Sequence, residues 1–291
     1  MELWQAIVLG LVEGITEYLP VSSTGHLIIA GDLLKLDRPE TKASLDAFCV
    51  IIQGGAILAV LALYFPRFLQ MLKGLAGRDP AGFRIFVNIV VAFLPAALVG
   101  IVLKKHIEER LFHLGPVVFS LVIGGLYMIG VELWRRSRKP MRGGIEGKRV
   151  EEMTPGDALV VGLLQIVSLW PGTSRSMMTI TAGYFRGLKP AAAAEFSFLL
   201  GMPTLLAATL YTLYKDHAQA KAAGTKNMLE VLGAKPVLIG IAVAAVSAFI
   251  AVKWLVGFLN RHGLTGFGIY RIVIGAALLA LALAGVVTVN K

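Results

Sequence analysis

Residues 13–26 read EGITEYLPVSSTGH, a polar stretch inside an apolar chain, and the architecture follows from it. It sets Glu13, Glu17, Ser22, Ser23 and His26 into membrane-grade sequence, because the ten residues before it, Leu3 to Val12, are a nearly unbroken apolar run. Ten residues fall short of the roughly 20 that a spanning helix needs. A helix entering the membrane here must stop inside it. Pro20 supplies a stop, since it has no N–H and disfavours helical geometry at Leu19, and Ser22 or Ser23 can cap a new helix. The stretch therefore predicts a broken, re-entrant helical hairpin that ends near Leu34. Non-helical backbone is tolerated at that depth only where it is buried in protein or lines a wet cavity. Glu13 and Glu17, four apart, share a helix face, and Ser23 and His26, three apart, share a face of the second half-helix. An ionised carboxylate at a helix centre costs on the order of 2.5–3.5 kcal/mol on insertion scales, so the acidic pair reads as a functional site.

Composition sets the class. Of 291 residues 56% are hydrophobic and 16% charged, with a mean hydropathy of +0.74, which describes an all-α polytopic membrane protein and excludes a soluble domain. The net charge of +10 does not point to nucleic acid, because the basic residues lie mostly in short loops between apolar runs. That is the topogenic pattern, with attraction to anionic lipid as a by-product. Cys49 is the only cysteine and can form no internal disulfide. The opening Met1-Glu2-Leu3 lacks the basic region of a secretory signal, so the first segment is expected to stay in the mature protein.

After the hairpin, spans are expected at about residues 45–64, 85–103 and 117–134, with a loop around Pro66 to Asp79 and a charged link from Lys104 to His113. Between Arg135 and Arg149 stand seven Lys or Arg against one acid, which makes this loop the candidate for the cytoplasm. The second half then repeats the first. AIVLGLVE at Ala6 meets ALVVGLLQ at Ala158, LPVSSTG at Leu19 meets WPGTSRS at Trp170, and FSLVIG at Phe119 meets YRIVIG at Tyr270. Three further spans follow at about 191–214, 236–258 and 267–288. The expectation is one membrane domain, residues 1–291, made of repeat one (about 1–145) and repeat two (about 150–291), each a re-entrant hairpin plus three transmembrane helices. Three is odd, so the second repeat must be inverted, an arrangement that brings broken helices together near the midplane. With the basic loop cytoplasmic, the first hairpin enters from the outer face.

The second break carries a cation. WPGTSRS supplies Gly172 for close backbone approach, Ser174 and Ser176 as hydroxyl donors, and Arg175 at the start of a helix, where free N–H groups and the dipole favour an anion. A guanidinium matches phosphate oxygens in a bidentate manner. Ser22, Thr24, Gly25, Gly172, Thr173, Ser174 and Ser176 are accordingly the substrate-binding candidates, and Glu17, Ser23, His26 and Arg175 the catalytic ones. With no nucleotide-binding glycine signature, a phosphoryl group on a lipid is the substrate class that fits. Neighbouring carboxylates with an anionic substrate imply a hard divalent cation, Mg²⁺ first and Ca²⁺ as the alternative, with Glu13 and Glu17 as ligands. One of the two could instead be a general base. Gln53, Asn88 and Gln165 are expected to make interhelical hydrogen bonds, and Arg271 to pair with Glu195 or meet a lipid headgroup.

EGITEYLPVSSTGH together with PGTSRS resembles the two signature regions of the undecaprenyl-diphosphatase family, the bacitracin-resistance type of bacterial inner-membrane phosphatase. The likeness extends over essentially the whole chain, including FSFLL at Phe196 and the YR pair at Tyr270. The resemblance implies removal of the terminal phosphate of undecaprenyl diphosphate, a polyprenyl diphosphate lipid, to give the monophosphate carrier for cell-wall synthesis. It also implies a divalent-metal requirement and an active site open to the outer (periplasmic) face of the cytoplasmic membrane. The family's acidic pair falls on Glu13 and Glu17, its serine and histidine on Ser23 and His26, and its arginine on Arg175. Three routes stay open: attack by Ser23 with His26 or Glu17 taking its proton, phosphorylation of His26, or a metal-activated water. The rival reading is a transporter or flippase of an anionic lipid, because paired broken helices are transporter architecture. Gly54-Gly55 and Gly124-Gly125 could pack the repeats together or join two protomers into a homo-oligomer.

Overall fold

The computed structural model describes residues 1–36, 42–111, 113–137 and 147–284. Asp37, Arg38 and Glu40 of the first polar connection, the greater part of the basic loop (138–146) and the last residues of the expected final span lie outside the described residues. In chain order the helices are α1 (Leu3–Thr16), α2 (Ser23–Leu33), α3 (Lys42–Leu63), α4 (Phe65–Leu75), α5 (Pro80–Leu111), α6 (Leu114–Ser137), α7 (Pro155–Gln165), α8 (Arg175–Phe185), α9 (Pro190–Ala223), α10 (Met228–Leu232), α11 (Ala234–His262) and α12 (Thr265–Leu283). Six of them, α3, α5, α6, α9, α11 and α12, are long and apolar enough to cross a membrane. The protein is an all-α, multi-pass membrane protein.

Several boundaries differ from the sequence reading. The link from Lys104 onward is helical backbone as far as Leu111. KKHIEERL holds no glycine or proline and is rich in good helix formers, so propensity carries α5 past its apolar stretch. The loop expected after α3 contains α4, whose Pro66 lies in the first turn, where a missing N–H costs nothing. The first helix ends at Thr16, before Pro20 is reached, and residues 17–21 form turns. Pro20 thus fixes how the chain leaves the helix rather than where the helix stops.

The described residues fall into two compact units. The first comprises Met1–Leu19, Ser23–Leu63 and Gly201–Lys253. Its core is built from Ala6, Leu9, Leu27, Leu45, Phe48, Ile52 and Val237. Small residues let its backbones close up, since a Cβ on Gly14 would lie 2.0 Å from Ser247 Oγ and one on Gly55 2.2 Å from Ile241 O. Dispersion and close approach, rather than exclusion of water, hold such helix pairs together in lipid.

The second unit comprises Pro20–Ser22, Tyr64–Leu200 and Trp254–Lys291. Within it α6 and α12 meet through small residues as well, a Cβ on Gly125 lying 2.6 Å from Gly268 O and one on Gly275 2.7 Å from Val122 Cγ2. Gly55, Gly124 and Gly125 are therefore occupied in packing within the chain.

The start of α7 is pinned by charge. Asp157 is buried, and its carboxylate accepts from Thr154 N–H (3.0 Å), Lys148 Nζ (3.0 Å) and Arg186 Nε (2.7 Å). Burial alone would push its pKa up, but the Thr154 amide and the two cations outweigh burial and hold the carboxyl well below the usual range. A depressed folded pKa means the stabilisation is complete above the unfolded value, about 3.9, and is lost as pH falls through the folded one. In thermal unfolding of detergent-solubilised protein, the wild-type Tm is expected to drop increasingly below about pH 4. Asp157→Asn should start lower at neutral pH and show a flatter acid limb; parallel profiles for the two proteins would contradict this account.

Candidate functional site

In the first unit, Glu13 lies in α1 with no exposed surface, and Glu17, one turn later, is the C-cap residue. Its N–H still donates to Glu13 O at 2.9 Å, which keeps the two side chains on one face as the spacing predicts. Ser23 opens α2, and its Oγ donates to Glu17 Oε2 at 2.5 Å. Both residues are buried. Gly25 is buried beside them in sequence, while Thr24 and His26 are half-buried in the first turn of the same helix. One carboxylate–hydroxyl pair is thus assembled across the first break. A serine whose proton already points at a buried carboxylate has the arrangement of a nucleophile with its base.

In the second unit, Ser174 caps α8: its Oγ accepts from Met177 N–H at 3.3 Å and lies 3.0 Å from Ser176 Oγ. Arg175 is the first residue of that helix, and its Nη1 donates to Ser197 O at 3.0 Å. Ser197 in turn shares a 2.7 Å bond with Thr179 Oγ1, one turn along α8 from Arg175. Gly172 and Thr173 are buried in the turn before the cap.

Both breaks place a serine in left-handed backbone immediately before a helix, Ser22 at φ 75° and Ser174 at φ 76°. For a non-glycine residue such a conformation costs of order 1–3 kcal/mol and persists only where the surroundings impose it. Ser22 stands nine residues after Glu13 and Ser174 nine after Gln165, so the register of the two segments is restored at the serines although the prolines differ by one. In this register Ser23 and Arg175 are matched as the first residues of their helices.

Beside these turns lies Arg271, a residue expected to meet Glu195 or a lipid headgroup. It does neither. Glu195 is taken by Arg67 Nε at 2.6 Å. Arg271 has no exposed surface and donates to Gly172 O and Ser120 O (2.8 Å each), Thr173 O (3.1 Å), and Pro20 O and Leu121 O (3.4 Å each). One guanidinium on α12 therefore ties Pro20 of the first break to Gly172 and Thr173 of the second and both to α6. Ser120 adds an Oγ–H bond to Pro171 O at 2.8 Å. Of the amides expected to bond between helices, Asn88 donates through Nδ2 to Met153 O at 2.9 Å, an acceptor in the extended segment before α7 rather than in a helix. Gln165 is buried, and neither atom of its amide has a partner among the described residues.

Gly172 combines two constraints. Its φ is +89°, and a Cβ there would lie 2.1 Å from Ser120 Oγ and 2.8 Å from Val117 O; Gly187, at φ +80°, has nothing within 4 Å. Gly187→Ala should cost only the left-handed penalty, about 1–2 kcal/mol. Gly172→Ala should cost about 1–3 kcal/mol more, because overpacking is added. Comparison of the two by thermal unfolding checks this, and equal losses would show that the turn has room.

Among the described residues no three His, Cys, Asp or Glu side chains are grouped to hold a metal ion. Two buried carboxylates one turn apart fit Mg²⁺, which takes one or two carboxylates and leaves its other positions to water and substrate phosphate. They do not fit a closed structural Zn²⁺ site, which needs four protein ligands.

Residues 6–277 match the family described as bacitracin resistance protein BacA. A protein of Sorangium cellulosum named undecaprenyl-diphosphatase is 44% identical over 279 residues, 96% of this chain and 86% of that one. One of Rhodospirillum rubrum named undecaprenyl-diphosphatase 2 is 44% identical over 284 residues, 98% of this chain and 96% of its own. One of Methylococcus capsulatus, named undecaprenyl-diphosphatase, is 43% identical over 285 residues, 97% and 96% of the two chains. With a family match over nearly its whole length and relatives of this identity and coverage, the chain belongs to the bacitracin resistance protein BacA family.

Proposed function

We infer that this chain is an undecaprenyl-diphosphate phosphatase: it hydrolyses undecaprenyl diphosphate to undecaprenyl phosphate and inorganic phosphate, returns the carrier lipid to cell-wall synthesis, and so confers bacitracin resistance. Family membership and the names of its relatives support the reaction. The single observation that carries the chemistry is the 2.5 Å bond from Ser23 Oγ to Glu17.

In the mechanism we favour, Ser23 Oγ attacks the terminal phosphorus and passes its proton to Glu17. The Oγ–P bond forms as the bond from phosphorus to the bridging oxygen breaks, and undecaprenyl phosphate leaves. Water then cleaves the phosphoserine, giving inorganic phosphate and restoring the hydroxyl. Arg175, at the N-terminus of α8, stabilises charge on the non-bridging oxygens, with Ser174, Ser176, Gly172 and Thr173 binding around it and Ser22, Thr24 and Gly25 doing so from the first break. His26 relays the proton that water gives up. Glu13 and Glu17 would hold a divalent cation, Mg²⁺ before Ca²⁺, which supplies neutralisation of the diphosphate charge when bound.

The two breaks are further proposed to belong to inverted repeats that serve one substrate, which the matched spacing of Ser22 and Ser174 supports. The basic charge of Arg135–Arg149 supports a cytoplasmic location for this loop, and with it a phosphate site open to the periplasmic face. Phosphate release from a polyprenyl diphosphate by purified protein in detergent, with and without chelator, tests the reading. Metal-dependent release is expected; no release at any metal concentration would leave the transporter reading in its place.

A further inference from the structure

We propose that Arg271 is the positioning residue of the phosphate site, a buried cation that fixes the orientation of both chain breaks and leaves their amides turned toward the substrate. The inference rests on the phosphatase reading and adds to it a residue that touches neither phosphate nor metal.

A guanidinium removed from water loses its hydration, and a protein usually compensates with a carboxylate. The bonds described for Arg271 go instead to the carbonyl oxygens of Pro20, Ser120, Leu121, Gly172 and Thr173, five neutral acceptors on three segments. Carbonyl dipoles can solvate the ion without cancelling its charge. A net positive charge therefore remains in a low-dielectric setting, beside the segments that the substrate's diphosphate must approach.

Geometry adds direction. The described chain contains no cis peptide bonds, and in a trans peptide the C=O of one residue and the N–H of the next point in opposite senses. Fastening Pro20 O and Thr173 O to Arg271 therefore turns the N–H groups of Val21 and Ser174 away from it, one amide from each break. Each break thus presents an amide on the side opposite the guanidinium, where it can donate to an anion. The left-handed φ of Ser22 and Ser174 follows in each case within two residues of a carbonyl so fastened. Strain of this kind needs an agent that enforces it, and the buried guanidinium is that agent.

Two variants probe the role differently. Arg271→Lys keeps the charge but offers three donors on one nitrogen in place of the guanidinium fork. Gly124→Ala leaves Arg271 intact and displaces it, because the new Cβ would stand 2.3 Å from Nη2 and 2.9 Å from Cζ. Gly130→Ala is the control on the same helix, with nothing within 4 Å of its Cβ position.

Single-turnover phosphate release should fall about 100-fold in Arg271→Lys and about 10-fold in Gly124→Ala, the scale expected for misplacement of catalytic groups by an ångström or less. Gly130→Ala should match wild type. Backbone hydrogen exchange should rise across residues 19–24 and 170–176 in both variants while α11 is unchanged. A folded Arg271→Lys or Gly124→Ala protein with wild-type turnover and wild-type exchange in those segments would overturn the proposal. Should Arg271→Lys fail to fold, Gly124→Ala decides alone. Were the wild type itself to release no phosphate, the phosphatase reading would fall, and exchange at the two breaks would still decide whether Arg271 holds them.

Discussion

Arg175→Ala is expected to lower single-turnover phosphate release from a polyprenyl diphosphate by about a thousandfold or more, the effect of removing an arginine from the charge that spreads over a transferring phosphoryl group. The residue is suited to this by position. It is the first residue of α8, where the helix dipole already favours an anion, and its anchor on Ser197 O restricts where the guanidinium can go. Arg175→Lys should recover part of the loss, since charge is kept but the fork that meets two oxygens at once is not. A purely structural Arg175, tying α8 to α9 through Ser197, would behave differently. Its loss would lower Tm while leaving turnover of the folded fraction near wild type.

Glu17→Gln is the second large effect. The substitution keeps the volume of the buried side chain and an oxygen able to accept from Ser23 Oγ, so the fold and the 2.5 Å contact should survive. What it removes is the capacity to take the proton and one negative charge from the Glu13–Glu17 pair. Turnover should fall by about a thousandfold, the middle of the range for general-base contributions. Ser23→Ala should fall as far, and the two together no further, because residues that act as a unit do not lose independently. Labelled phosphate recovered on Ser23 during turnover would establish the covalent route. Its absence from every serine and histidine, with turnover intact, would transfer the attack to water.

The fold was legible where a physical rule leaves a trace in residue types. Six spans could be read because lipid demands long apolar runs, and a break in each half because a proline stands shortly before a serine able to cap a new helix, although α1 and α7 both end before their prolines are reached. The start of α8 at Arg175 was legible in the sequence, and capping chemistry narrows that of α2, at Ser23, to Ser22 or Ser23. The amphipathic α4 was lost to Pro66, which reads as a breaker and is in fact a first-turn residue. The end of α5 was lost because charge suggests a loop where propensity still favours a helix.

Within the site, the acid pair and its serine were legible from i, i+4 spacing and caps. The role of Arg271 was not, since its partners are backbone carbonyls, and every residue has one of those. Its only signal was its depth within an apolar span, which marks an intramembrane cation as functional without naming what it holds. The left-handed serines were hidden for a similar reason, because glycine rather than serine is the residue that advertises positive φ.

In the proposed mechanism the carboxylate and serine of the first break and the arginine of the second act on one phosphoryl group. A double-mutant cycle on single-turnover phosphate release, with Glu17→Ala, Arg175→Ala and the combined variant, tests it most directly. The prediction is strong non-additivity, with the combined variant within about threefold of the poorer single one. Losses that multiply in full would mean the two breaks work independently, and the shared site would have to be given up.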